Sequence, residues 1–285
     1  MITCIQCENN NMGDEGSIQN LEVDWNEFLI KFHAQNEQAK QNLRKVDLFP
    51  GKDLVCFVLH NVFAPEECQF LIDSIENIGF NKLLYGENYR TNTRTQIKQT
   101  DLANEFFLRV QDFLPKQWPG HKNTSHWELM NLNDHLRICR YEPGQFFAPH
   151  FDGIFKKSYM EQSQLTIMAY LNDSYTGGHT NFLDDNTKPH DITYALKPET
   201  GMVLIFQHDL FHEGETVSTG KKYIMRSDVM YKRTLIEPMS TKEHEARELL
   251  AQAEQFEDQS NYDEASKCYR KAYKLWPELE KEFGK

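Results

Sequence analysis

The stretch Arg140-Tyr-Glu-Pro-Gly-Gln-Phe-Phe-Ala-Pro-His150-Phe-Asp152 decides how this chain is read. Alternate residues of a strand share a face, so His150 and Asp152 present an imidazole and a carboxylate to the same side. One His-x-Asp triplet is a weak signal in a chain with eleven histidines. It needs a third ligand at the right place. That ligand is proposed in Met202-Val-Leu-Ile-Phe-Gln-His208-Asp-Leu-Phe-His212-Glu-Gly214, where an apolar strand leads in and a glycine follows.

Two imidazoles and one carboxylate on one face of an octahedron leave three adjacent positions open. Those positions suit a bidentate 2-oxo acid and dioxygen on non-haem iron. The metal set, which is also the catalytic set, is therefore His150, Asp152 and His212. His208, four residues before His212, is the rival ligand. No His-Glu-x-x-His is present, so a zinc-peptidase reading is poor and His208 is placed in a turn or behind the ligands. His179 and His190 lie in turn-like stretches and receive no metal role. An oxo-acid cosubstrate needs a cation for its far carboxylate. Lys222 and Arg226, four apart on the next strand, face the same way, and either offers one.

Outward from this segment, short β-rich runs are separated by Gly, Pro, Asn and Asp turns. They are His135–Tyr141, Gln164–Leu171, Thr180–Leu183, Met202–Phe206 and Lys222–Tyr231. Such texture indicates a sandwich or barrel. Upstream, apolar spacing predicts a helix from Trp25 to Val46. A strand follows over Asp53–His60, then helices from Ala64 (Pro65 in the first turn) and over Asp101–Phe113. Helices first and strands later give an α+β chain. Residues 1–20 are polar and read as a flexible tail, and Cys4-x-x-Cys7 within it lacks the further ligands of a zinc site. Residues 243–285 form a charged helical pair around Asn261-Tyr-Asp-Glu-Ala265. It resembles a single tetratricopeptide repeat, with Gln252 and Ala253 where a leucine-glycine pair is usual.

The 285 residues, 39% hydrophobic and 26% charged, suffice for one large domain and an appendage. A net charge of -12 disfavours a nucleic-acid surface. No apolar run reaches the ~18 residues of a membrane span, and no secretory signal is visible. Scattered cysteines fit reduced thiols, so a cytoplasmic or nuclear location is expected.

Residues 53–233 resemble the prolyl 4-hydroxylase-like branch of the iron(II)/2-oxoglutarate-dependent dioxygenases. The matching pieces are Asn61-Val-Phe-Ala-Pro-Glu-Glu-Cys-Gln-Phe-Leu-Ile72, Arg140-Tyr-x-x-Gly144, His150-x-Asp152, Leu165-Thr-Ile-Met-Ala-Tyr-Leu-Asn172, Gly177-Gly-x-Thr180-x-Phe182 and His212-Glu-Gly214 through Lys222-Tyr. The resemblance implies a double-stranded β-helix (jelly roll). It divides the chain into a tail (1–20), an N-terminal helix (21–50), a dioxygenase domain (51–236) and the helical pair (243–285). It implies Fe(II), O2 and 2-oxoglutarate, with ascorbate as reductant, and hydroxylation coupled to release of succinate. By position Lys222 matches the basic residue that holds the 2-oxoglutarate C5 carboxylate, with Arg226 as the alternative. Tyr170 matches a tyrosine bonded to that carboxylate, and Tyr141 a tyrosine lining the pocket. A protein or peptide substrate is implied, with Tyr89–Arg94 as a candidate substrate loop and residues 243–285 as a possible partner-binding element. The competing readings are an oxygenase acting on a small molecule or nucleobase, and a catalytically silent binding module.

Overall fold

The structure is a computed structural model that describes residues 25–82, 86, 88–119, 125–235 and 239–283. The tail over residues 1–20, with Cys4 and Cys7, lies outside the described residues.

A long strand, Lys222–Leu235, organises the fold. On one side it pairs antiparallel with Glu161–Tyr170, which continues to Val203–Gln207, Cys56–His60 and Arg44–Asp47. On its other side lie His135–Tyr141 and Ser125–Leu132, and the first of these continues to Thr93–Lys98. A second sheet runs in the order Ile192–Leu196, Thr180–Leu183, His212–Gly214, Phe147–His150. From His135 onward the chain passes back and forth between the sheets, so residues remote in sequence meet in the gap.

Side-chain alternation separates two cores. Leu165, Ile167, Ala169, Val203 and Ile205 face the helices, packing in one cluster with Phe32, Leu71, Ile75 and Phe106. Met168, Tyr170, Leu204 and Phe206 point the opposite way and pack with Phe182 and Leu196 of the second sheet. A strand buried on both faces reads as a continuous apolar run, which is why Val203-Leu-Ile-Phe206 shows no polar alternation.

The helical layer comprises Trp25–Asn42, Pro65–Ile78 and Thr100–Val110. Pro65 occupies the first turn, where its missing N–H costs nothing, and the Glu67 carboxylate accepts from the Ala64 N–H at 2.8 Å. The same carboxylate takes a bidentate pair from Arg109 at 2.7 and 2.8 Å. Arg109 also donates to Asn36 and to the carbonyls of Phe32 and Val62. A buried guanidinium with its hydrogens spent in this way ties three helices together.

Three expectations from sequence are corrected. The first helix stops at Asn42 instead of Val46, because Arg44–Asp47 pairs in register with Phe57–His60, and strand pairing overrides the local helical pattern. Helices and strands are also not segregated: Cys56–His60 and Thr93–Lys98 interleave with the helices and join the large sheet. The helix expected over Asp101–Phe113 ends at Val110 and tightens into a 3-10 turn over Gln111–Phe113. Downstream, helices Thr241–Asp258 and Tyr262–Leu275 pack through small residues, with Ala246, Ala253, Ala265 and Ala272 all buried. Among the described residues no helix is long and apolar enough to cross a membrane.

Substituting Arg109→Met leaves Glu67 ionised and buried without a partner. The expected loss is about 3–5 kcal/mol of unfolding free energy, read by urea denaturation. A loss below about 1 kcal/mol would show that this pair does not hold the helical layer.

Candidate metal centre

The two histidines meet through strand register. His212 lies directly opposite His150 in the second sheet, so residues far apart in sequence become cross-strand neighbours with ring centroids 4.3 Å apart. Asp152 lies two residues beyond His150 on the same side, and its N–H donates to the His208 carbonyl at 3.1 Å. One ligand atom from each of His150, Asp152 and His212 falls within 4.8 Å of the others.

The donor set fits a divalent metal. Each ring places Nδ1 2.8 Å from a backbone carbonyl, of Ala148 for His150 and of Leu210 for His212. A carbonyl can only accept, so Nδ1 carries the proton and the Nε2 lone pair is left for a ligand. The two Nε2 atoms stand 3.7 and 3.8 Å from the Asp152 oxygens, too far for hydrogen bonds. Three lone-pair donors thus face one another across a gap. Burial pushes His212 down to about 4, which keeps it neutral at physiological pH. Burial alone would raise the Asp152 carboxyl, but Arg226 and hydrogen bonds from neighbours hold it well below the usual carboxylate range. A neutral His212 and an ionised Asp152 are the protonation states that metal ligation requires of them.

Behind the ligands runs a chain of polar contacts. Arg226 pairs with Asp152 at 2.8 Å, and the Thr166 hydroxyl donates to the other carboxylate oxygen at 2.6 Å. His208 Nδ1 lies 3.2 Å from Thr166 Oγ1, and Nε2 2.9 Å from Ser163 Oγ. Since Thr166 gives its own proton to Asp152, His208 donates through Nδ1 and accepts from Ser163. His208 is therefore a support of Asp152, and it stands outside the ligand set. His179 pairs with Glu215, and His190 Nδ1 lies 3.0 Å from the Asp184 carbonyl, so neither reaches the centre.

A cavity opens over the three ligands and is also lined by Arg90, Tyr141, Thr180, Lys222 and Arg226. Lys222 is buried and donates to the Gly178 carbonyl at 2.6 Å; among the described residues it meets no carboxylate at ion-pair distance. Burial pushes its ammonium down to about 7. Its Nζ lies 5.6 Å from the Tyr141 ring centroid and 5.5 Å from that of Tyr170. The Tyr170 hydroxyl is 2.7 Å from Thr180 Oγ1, so Tyr170 reaches the cavity wall through Thr180. Each residue proposed from sequence as a metal ligand or cosubstrate contact thus lines this cavity or touches one that does. Thr166 and Thr180 were missed. Their signal was a polar residue on an otherwise apolar, inward-facing strand. Arg90 falls in the proposed substrate loop, over the Phe147 ring at 4.2 Å, and that segment bridges to Phe147 of the second sheet.

Residues 136–227 match the family model described as the 2OG-Fe(II) oxygenase superfamily. The chain is similar to the "Putative prolyl 4-hydroxylase" of Acanthamoeba polyphaga mimivirus, 25% identical over 186 residues that cover 59% of this chain and 71% of that one. It is similar also to "Probable prolyl 4-hydroxylase 11" of Arabidopsis thaliana, 26% identical over 167 residues, 54% of this chain and 57% of that one. Together these matches support the prolyl 4-hydroxylase-like 2-oxoglutarate, Fe(II) oxygenases and a 2-oxoglutarate-dependent hydroxylase. Among solved structures, the viral collagen prolyl hydroxylase of Paramecium bursaria Chlorella virus-1 in its 2OG complex aligns with a TM-score of 0.43 and 20% identity, over 67% of this chain and 96% of that one.

A lysine near pH 7 when folded and near ~10.4 when unfolded destabilises the fold at every pH below its unfolded value. The penalty is full below about pH 7 and fades as pH rises toward ~10.4, because there the unfolded chain binds the extra proton. Lys222→Met should therefore unfold at higher urea at pH 7, by on the order of 3 kcal/mol, with the advantage shrinking through that window. A gap that widens with pH would contradict the buried, unpaired ammonium.

Proposed function

We propose that this chain is an Fe(II)/2-oxoglutarate-dependent dioxygenase that hydroxylates a C–H bond in a protein or peptide, with 2-oxoglutarate decarboxylated to succinate. The observation that carries this is a His-Asp-His donor set in one cavity with a buried lysine that, among the described residues, meets no carboxylate at ion-pair distance. The four strands of the second sheet and the four strands His135–Tyr141, Glu161–Tyr170, Val203–Gln207 and Lys222–Leu235 of the large sheet are visited by repeated crossings between the sheets, which supports the jelly-roll reading.

A ferrous ion held by His150, Asp152 and His212, with 2-oxoglutarate and dioxygen, supplies the oxidising power for hydroxylation. The protein's own residues do the positioning. The Ala148 and Leu210 carbonyls aim the two Nε2 atoms, and Thr166 and Arg226 keep Asp152 ionised and oriented. Lys222 receives the far carboxylate of 2-oxoglutarate, between Tyr141 and the Tyr170–Thr180 pair. Lys222 suits this task better than Arg226, whose guanidinium is already committed to Asp152 at 2.8 Å. Phe147, Met168, Phe206 and Ile224 give the cavity apolar walls that limit water. The peptide enters past Tyr89–Arg94, where Tyr89 is exposed and Arg90 reaches the cavity. We read the C-terminal pair as one tetratricopeptide-like unit available to a protein partner, and the protein as cytoplasmic or nuclear.

Succinate formation from 2-oxoglutarate with Fe(II) and ascorbate tests the reading, with mass spectrometry seeking an added oxygen on candidate peptides. Lys222→Ala should raise the apparent KM for 2-oxoglutarate roughly 10–100-fold, the worth of a hydrogen bond to a charged group. Arg226→Ala should leave that KM within about threefold and lower the metal affinity instead. The reverse pattern would move the carboxylate site to Arg226, and no turnover by the wild type would favour a binding module.

A further inference from the structure

The segment that leaves Asp152 has little of its own to hold it. Residues 151–155 form no regular structure, and Phe151, Ile154 and Phe155 keep 50%, 47% and 36% of their surface exposed. Phe151 packs against Phe211 with ring centroids 4.8 Å apart, while Ile154 and Phe155 stay partly in water, so beyond Asp152 the segment is held chiefly by polar contacts at its far end.

Those contacts come from pairing of residues 156–158 with the strand Glu161–Tyr170 and, on the outer side, from the C-terminal helix Thr241–Asp258. Gln255 Nε2 donates to the carbonyls of Lys156 and Lys157 at 2.8 and 3.2 Å, Glu254 pairs with Lys156, and Glu248 accepts from the Tyr159 N–H at 3.3 Å. They pin the short strand Lys156–Ser158 and the turn after it, which begin four residues beyond Asp152. On the inner side, the Phe155 N–H donates to Ser163 Oγ at 2.8 Å and its carbonyl accepts from the Ser163 N–H at 2.9 Å. Ser163 is the residue that bonds His208, and His208 holds Asp152 through its carbonyl and through Thr166. A hydrogen-bonded path therefore runs from the helix to the carboxylate.

We infer that the C-terminal helical pair is a positioning arm of the metal centre, with Gln255 as its principal contact. This inference rests on the proposed iron site. The arm fixes residues 153–159 and so holds Asp152 in its ligating pose. Anything that docks on or displaces the pair acts on metal affinity from outside the cavity.

The test uses the full chain, metal-free and with Co(II) as the probe metal. Gln255→Ala removes both main-chain bonds, and Gln255→Arg restores an N–H donor. Expected for Gln255→Ala are roughly fivefold or greater acceleration of amide hydrogen exchange within residues 153–163 and a roughly fivefold weaker Co(II) affinity, one hydrogen bond's worth in each. Gln255→Arg should reverse both, which a merely structural defect would not do. Wild-type exchange in Gln255→Ala overturns the inference, and so does faster exchange with unchanged Co(II) affinity. A wild-type protein that binds no Co(II) sinks the iron-site reading instead, and the exchange measurement alone then decides whether the helix holds the segment.

Discussion

The register between Phe147–His150 and His212–Gly214 is the constraint on which the rest depends. A slip of one residue would turn either imidazole to the opposite face of its strand. In the observed register both rings project into the gap between the sheets, and the two-residue step from His150 brings Asp152 to the same side. Phe182 sits opposite His212 on the neighbouring strand and packs against Phe206, so the register is also locked by apolar burial. Ligand geometry and core packing are specified by the same pairing.

Charge around the centre is balanced in a way that favours binding over stability. Asp152 meets Arg226, and Asp228 is shared between Arg226 and Arg137, so acidic and basic groups alternate beneath the cavity. Lys222 is the exception: its ammonium is buried against a carbonyl and two aromatic rings, and among the described residues no carboxylate comes within ion-pair distance, although Glu215 acts on it from further off. Such a group costs folding free energy in the free protein and recovers it when an anion arrives. Binding sites commonly carry strain of this kind. Two cations on one strand face thus differ in their surroundings, Arg226 being paired with Asp152 and Lys222 bonded to a backbone carbonyl, and the proposed roles rest on that difference.

The site was more legible in the sequence than the fold around it. Strand alternation linked His150 to Asp152, and an apolar run ending in a glycine marked His212. Lys222 and Arg226 could not be told apart, because both satisfy the same periodicity; only the contact with Asp152 distinguishes them. Ser125–Leu132 escaped notice because its alternation is broken by polar and charged residues, and Arg44–Asp47 because it is short and has meaning only beside Cys56–His60. The link from Gln255 to Lys156 spans 99 residues and rests on backbone carbonyls, which carry no signature in sequence. What periodicity encodes was readable. What depends on the partner of a single polar atom was not.

In the proposed function His150, Asp152 and His212 together hold one ferrous ion that in turn recruits 2-oxoglutarate. Anaerobic titration calorimetry measures this directly, with Fe(II) added first and 2-oxoglutarate second. The account predicts one Fe(II) per chain, 2-oxoglutarate binding that requires the metal, and loss of both in His150→Ala and His212→Ala proteins that remain folded. Undiminished Fe(II) binding in those variants, or 2-oxoglutarate binding that ignores the metal, would contradict it.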